Sequence, residues 1–316
     1  MSRLQVLLAA VCFGTTGTAQ ALGPDASSVT VGAARIAVGA LLLLAFEWAV
    51  KRVAARRGAA GAGGAAGAGG GAAARAAATA RAWPRLPLLV GALGVAAYQL
   101  CFFAAVKDTG VAVGTVVALG SAPALAGLGG WLVDRRVPDR TWALATALAC
   151  VGVATLALEG GGEVSVPGVL LALGAGASYA AFTLASKRLL DQGHQVESVM
   201  ARLFAGGALI LSPVLLATDT SWLTTAGGAA MALWLGAVPT AIAYILFASG
   251  LRHLHANEVA TLTLAEPVTA ALLGALVLSE RPGATAIAGI FIILAGLAVL
   301  AAPTRRSTAT PAEVPA

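Results

Sequence analysis

Ten apolar runs divide almost the whole chain between them, at 4–22, 31–50, 88–106, 111–133, 141–158, 168–186, 198–217, 228–250, 259–279 and 284–302. Each is close to the ~20 residues that an α-helix needs to cross hydrocarbon. Hydrocarbon offers no partner to backbone N–H and C=O groups, so a chain of this pattern must satisfy them within helices. Charged residues are 11% of the 316, well below the ~25% of soluble domains, and the mean hydropathy is +0.87. The expected fold class is an all-α integral membrane protein of ten transmembrane helices. Arg3, a short apolar stretch and Ala19-Gln20-Ala21 imitate a signal peptide and its cleavage site. Thr15, Thr16, Thr18 and Gln20 make the segment unusually polar, and it is read as a retained first span.

The runs are not independent. Residues 113–138, VGTVVALGSAPALAGLGGWLVDRRVP, return 144 positions later as 257–282, NEVATLTLAEPVTAALLGALVLSERP. This register pairs Pro123 with Pro267, Leu128 with Leu272, Gly130 with Gly274 and Pro138 with Pro282. It continues without a gap through Thr141 and Thr285, Gly152 and Gly296, and Leu156 and Leu300. From Pro123 to Ala157 there are twelve identities in thirty-five positions. A register of 167 likewise pairs Ala34-Arg35 with Ala201-Arg202, Gly39 with Gly206 and Leu42 with Leu209. The chain therefore reads as a duplicated five-span unit: 1–158, then 159–302, then a flexible tail at 303–316. The copies differ at one telling position, where Ala122 in the first answers Glu266 in the second.

The basic residues give an orientation. With the N-terminus inside, the inner loops and span ends take 17 of the 20 Lys and Arg, leaving Arg35, Lys107 and Arg281 outside. Five spans is an odd number, so the second copy must be inverted, which is the arrangement of many transporters with a site near the membrane midplane. Both termini are then cytoplasmic. Residues 51–87 interrupt the first copy with seven basic residues, no acid and a Gly/Ala tract at 58–74, read as a flexible cytoplasmic linker. Cys12, Cys101 and Cys150 fall singly inside spans and read as small packing residues. No nucleotide-binding loop, metal-ligand cluster or paired catalytic carboxylates appear, so no cofactor, metal or nucleic-acid partner is expected.

Glu266 stands out among the remaining polar residues. A carboxyl in hydrocarbon is costly and should face the bundle interior or a wet cavity, where it could exchange a proton or bind a cation, or form a structural hydrogen bond. Pro267 cannot bond the carbonyl of Thr263, which should leave an acceptor free on the Glu266 face. Thr263 lies on the same stripe. Thr16 and Gln20 on the first span, Tyr98 on the third (beside Gln99, so that at most one of the two faces squarely inward), Tyr179 on the sixth and Tyr244 on the eighth could line a cavity suited to a cationic or amphiphilic small molecule. Hydroxyls and tyrosines also serve as packing and interface residues. Arg35 and Arg202 lie within two turns of span ends, where arginine snorkels, captures an anion or forms a gating ion pair. Pro123, Pro213, Pro239 and Pro267 are candidate hinges. His253 and His255 read as solvated loop residues, and Glu47 as the partner of Lys51 in a helical pair. Gly289 and Gly296 suit close helix packing, within the bundle or between copies.

The Pro-containing fourth and ninth segments, the ending LLGALVLSERPG with Glu280, Phe13-Gly14, and Arg35 and Arg202 opening segments two and seven resemble the drug/metabolite transporter superfamily, EamA type. The likeness spans the chain outside 51–87 and the tail. The first copy departs from it by ending in Asp134-Arg135-Arg136, and Phe13 stands where tryptophan is frequent. The resemblance implies two five-helix halves around a shared cavity, alternating access, and export of metabolites or toxic compounds across the plasma (inner) membrane, by a monomer or homodimer. The expected function is export of a small metabolite, such as an amino acid, or of an amphiphilic drug, with proton coupling through Glu266. Import, facilitated passage and an intramembrane lipid-modifying enzyme are the alternatives; the last lacks the clustered acids and histidines it would need.

Overall fold

The computed structural model describes residues 1–62, 82–135, 138–160, 165–279 and 281–302. Most of the Gly/Ala tract with Arg75 and Arg81, together with Arg136, Glu280, Arg305, Arg306 and the rest of the tail, lie outside the described residues.

The described chain is helical, with no strand among the described residues. Among the described residues nine helices are long and apolar enough to span a membrane: α1 (Ser2–Ala21), α2 (Ser28–Arg57), α3 (Arg85–Gly110), α4 (Val113–Leu132), α6 (Val166–Asp191), α7 (Val196–Ala217), α8 (Ala226–Leu251), α9 (Ala256–Val277) and α10 (Ala284–Ala301). A shorter apolar helix, α5 (Arg140–Leu156), completes the ten. Each expected span has its helix. The break between α3 and α4 falls at Gly110, whose φ of 81° lies where a side chain is disfavoured.

One expectation changes. The helix begun in α2 continues to Ala62, so the first dozen residues of the presumed linker are helical. The reason is local: 51–57 holds Lys, Arg, Val and Ala only, good helix formers on balance, and the first glycine comes at 58.

Two spans depart from α-geometry at their prolines. In α8 the turn Ala237–Ile242 is a π-helix around Pro239. Proline cannot bond the carbonyl of Leu235, and the Thr240 hydroxyl donates to that oxygen at 2.7 Å instead. In α9, Thr263–Ala265 tightens to a 3-10 turn just before Glu266-Pro267. The Thr263 carbonyl, expected to be left free by Pro267, therefore accepts the Glu266 backbone N–H. The tighter turn recruits the nearer donor.

The packing has a regular plan. Helix α1 packs on α8 and α9; α6 packs on α3 and α4; α2 packs on α7, and α5 on α10. The α5–α10 contact is reciprocal. A Cβ on Gly152 would come 2.8 Å from the Gly289 carbonyl oxygen and 2.7 Å from the Ile293 nitrogen. One on Gly296 would come 2.8 Å from the Ala145 oxygen and 2.9 Å from the Ala149 nitrogen. Only glycine lets two backbones approach so closely, and Gly296 thus packs inside the bundle. The ends of α4 and α9 match as well: Arg135 and Ser279, 144 positions apart, both have φ of 57°.

Candidate functional site

Helices α1, α2, α4, α6, α8 and α9, with Tyr98 of α3, converge on a small cavity of about 30 Å³. Phe13, Thr16, Arg35, Tyr98, Ala122, Tyr179, Tyr244, Thr263 and Glu266 are among its walls. A second void of about 10 Å³ adjoins it through the shared residues Arg35, Tyr98, Tyr179 and Tyr244, and adds Gln99, Phe182 and Phe204. A cavity of this size has room for at least one water molecule.

The walls are aromatic and the floor is charged. Tyr244 packs against Phe204, Phe13 and Phe182 with ring centroids 4.4, 5.0 and 5.5 Å away. Tyr98 and Tyr179 lie 6.2 Å apart. Tyr179 Oη and Thr263 Oγ1 are hydrogen-bonded at 3.1 Å, joining α6 to α9, and Thr263 Oγ1 also donates to the Ala260 carbonyl at 2.8 Å. The Thr16 hydroxyl bonds back to Phe13 O at 2.7 Å, leaving its methyl and lone pairs as cavity surface.

Arg35 is turned into the bundle, not outward to the membrane surface. Its Nη2 lies 3.5 Å from Gln99 Oε1, and the Gln99 amide in turn donates to Gly32 O at 3.1 Å. The Arg35 Nε is buried without a protein partner. Glu266 lines the same cavity, yet neither residue belongs to an ion pair of the described residues. The centre thus holds an arginine and a carboxyl group that are not joined to each other, an arrangement that is costly in hydrocarbon if both are charged and nothing polar enters between them.

Of the sequence candidates, Glu266, Thr263, Thr16, Tyr98, Tyr179, Tyr244 and Arg35 come together here. Gln20, at the far end of α1, does not. Arg202 lies elsewhere, at the end of the bundle where α2 finishes and α7 begins. Its guanidinium donates to Glu47 at 2.8 Å and to Ser198 O at 3.0 Å, and rests 4.1 Å from the Trp83 ring. Glu47 also accepts from Ser198 at 2.7 Å and from Lys51 at 2.5 Å. It is therefore the hub of a network between helices, where the spacing alone suggested a simple pair with Lys51. That pattern sees only one helix; the partners come from α7.

Adjacency on α3 predicts that only one of Tyr98 and Gln99 faces squarely inward, yet both line the smaller void. Two adjacent residues manage this because α3 is flanked by α2 on the Gln99 side and the cavity on the Tyr98 side. Phe182 and Phe204 had no sequence signal beyond apolarity. Trp142 is the other omission: its Nε1 donates to Asn257 O at 3.1 Å and Thr261 Oγ1 at 3.0 Å, while Thr146 bonds Thr261 at 2.8 Å, tying α5 to the first half of α9. His253 and His255 are exposed. The cysteines are half-buried and unbridged, with Cys150 Sγ 3.1 Å from Gly120 O.

A far larger cavity, about 690 Å³, opens at the end of the bundle that carries the N-terminus. Arg3, Gly130, Asp139, Trp142, Lys187 and Glu258 are among its walls. Arg3 pairs with Glu258 at 2.7 Å and Lys187 with Asp191 at 2.8 Å.

Ten apolar helices around a tyrosine-lined centre that carries an arginine and a carboxyl group, with a larger cavity at one end of the bundle, fit the construction of a membrane transporter. The EamA-like transporter family matches the chain twice, over residues 2–158 and 166–302. The chain belongs to that family, within the drug/metabolite transporter superfamily. It is 38% identical over 314 residues to the uncharacterized transporter YwfM of Bacillus subtilis (strain 168), covering 98% of this chain and 97% of that one. It is 29% identical over 212 residues to an uncharacterized transporter of Archaeoglobus fulgidus, covering 66% of this chain and 74% of the other. A solved crystal structure of a protein superimposes with a TM-score of 0.75 at 19% identity, over 94% of this chain and 95% of that one, which shows a shared fold.

Proposed function

We propose that this transporter exports a small, charge-bearing metabolite across the plasma membrane by alternating access, with Glu266 as its proton-coupling group. The observation that carries the reading is an arginine and a carboxyl group, Arg35 and Glu266, on the walls of one cavity with no ion pair between them. A zwitterion such as an amino acid would place a carboxylate on Arg35 and an ammonium on Glu266, with the tyrosine faces adding cation–π attraction. When the cavity empties, a proton on Glu266 would replace the lost cationic partner. Substrate and proton then compete for one carboxyl, which is the requirement for exchange.

The two halves serve as inverted repeats about an axis in the membrane plane. Support comes from the packing plan, which is unchanged when each helix is exchanged for the one five further on. The reciprocal contacts of Gly152 and Gly296 and the matched left-handed ends at Arg135 and Ser279 support it too. The vestibule end is cytoplasmic on the distribution of basic residues, so the centre is loaded from inside. Pro123, Pro239 and Pro267 are hinges in this scheme, the π-turn and the 3-10 turn marking two of them. Import or uncoupled passage would use the same cavity, with the gradients deciding direction.

Counterflow in proteoliposomes, screened against amino acids, nucleobases and quaternary amines with lumenal pH recorded, tests the reading. Saturable exchange that moves protons, with the proton flux lost in Glu266→Gln and substrate recognition lost in Arg35→Gln, is expected. Exchange with an unchanged proton flux in Glu266→Gln would remove the coupling role and leave a facilitator.

A further inference from the structure

The vestibule and the central cavity share helices but not walls. On α4 the vestibule reaches Ala126 and the central cavity ends at Ala122; on α9 the vestibule includes Ala256–Glu258 and the central cavity starts at Ala260. On α6 the corresponding residues are Leu184 and Tyr179. Between them sits a plug of three methyl groups, Ala126, Ala180 and Ala260, exposed by 0%, 4% and 1%, with Leu125 and Tyr179 packed on it. Alanine at all three positions lets α4, α6 and α9 close to contact, so a layer one side chain thick separates about 690 Å³ of vestibule from the site.

The layer is held shut unevenly. On one flank the first half of α9 is bound to α5 by Trp142 and Thr146, and to α1 by Arg3 and Glu258. On the other flank α6 is joined to α9 at the plug by Tyr179 Oη···Thr263 Oγ1. Thr263 opens the 3-10 turn, where the i→i+4 pattern of α9 is already interrupted, so the two halves of α9 can change their mutual angle there at little cost.

We propose that Ala126, Ala180 and Ala260 form the vestibule-side gate of this transporter, and that the Tyr179–Thr263 hydrogen bond is its latch. Opening separates α6 from the α5-bound first half of α9, pivoting at Thr263–Ala265. The latch hydroxyls are cavity-lining groups as well, so a substrate that takes the Tyr179 hydroxyl as its own partner releases the gate by the act of binding. The proposal builds on the central cavity being the transport site, but its test needs no transported compound.

In a background with Cys12, Cys101 and Cys150 changed to alanine, two reporters read the two sides of the plug. Gly130→Cys lies in the vestibule, where an added Cβ meets nothing within 4 Å, and Ala122→Cys lies in the central cavity. A membrane-impermeant methanethiosulfonate is applied to sealed vesicles on the face from which Gly130→Cys reacts. Ala122→Cys should react at least about tenfold more slowly. Tyr179→Phe should raise the Ala122→Cys rate about tenfold, the population shift expected from one lost hydrogen bond, and leave Gly130→Cys unchanged. Thr263→Val, which also loses the bond to Ala260 O, should do at least as much, and the two together no more than Thr263→Val alone, because both break the same link between α6 and α9. Equal rates for the two reporters with the latch intact, no acceleration in either variant, or accelerations that multiply would each overturn the gate. Failure to find a substrate in counterflow would leave this result standing.

Discussion

Glu47 offers the sharpest energetic test, because its three partners differ in burial. Its own side chain is 9% exposed, Arg202 35% and Lys51 59%. The Lys51 contact, on an exposed partner, contributes no more than a few tenths of a kcal/mol. The Arg202 bond is charge-assisted; such bonds reach ~1.5–3 kcal/mol, and exposure of the guanidinium brings this one to about 1–2. Ser198 is buried, and its hydroxyl would still find an acceptor in glutamine but not in alanine, a further ~1 kcal/mol. Glu47→Gln should therefore destabilise by about 1–2 kcal/mol and Glu47→Ala by about 2–3. Glu258→Gln, which breaks the Arg3 pair with its 43% exposed arginine, should cost at most ~1. Denaturant midpoints of the purified protein in mixed micelles, at low salt and at 1 M where the screening length falls to ~3 Å, give the comparison. The Glu258 effect should fade in salt while the Glu47 effect persists. If Glu47→Gln matches Glu258→Gln, or if alanine is no worse than glutamine, the buried-hub argument fails.

Three more outcomes follow from the same geometry. Gln99→Leu removes the amide beside Arg35 and its bond to Gly32 O; it should weaken substrate affinity severalfold in counterflow while the protein still folds, whereas a purely structural Gln99 would lower the yield of folded protein and spare affinity. Gly296→Leu drives a side chain into the Ala145 and Ala149 backbone; overpacking of ~1–3 kcal/mol or more should lower the denaturant midpoint, with Gly152→Leu equal to it within error. Trp142→Phe trims the ring that packs on Gly127 and loses two hydrogen bonds to α9; a loss of at least ~0.5–2 kcal/mol should appear as faster hydrogen exchange at the start of α9 and nowhere in α2 or α7.

The helices were legible because hydrocarbon leaves the backbone one option, so apolar length alone locates each span to within a few residues. Glu266, Thr263 and the tyrosines were legible because polar groups in a span must face inward. Arg35 was only half readable: position near a span end is compatible with snorkelling, and the difference is made by Gln99 and Gly32, whose proximity depends on how α2 and α3 pack. The Glu47 network was hidden for the same reason, since its acceptor and donors lie 151 and 155 positions apart. The plug was invisible, because three alanines among so many carry no signal until three helices bring them together.

The duplication sharpens what these placements mean. Ala122 and Glu266 occupy equivalent positions of the two copies and both line the central cavity. Arg35 and Arg202 are equivalent too, yet one faces the cavity and the other is tied to Glu47 and Trp83. In the lining of the cavity the acid thus comes from the second copy and the arginine from the first. An acid at both 122 and 266 would put two carboxyl groups on one cavity, and like charges so near in hydrocarbon repel by more than a folded bundle readily supports. On the proposed function, the difference between Ala122 and Glu266, with Arg202 held by Glu47, leaves one acid and one arginine at the centre, to meet a cationic and an anionic group. On this reasoning, Ala122→Glu should fold poorly or hold one of its two carboxyls protonated, and should abolish exchange in the counterflow assay. Ala122→Gln, of the same size without the charge, should retain part of it; loss in both alike would make volume, not charge, the reason for alanine at 122.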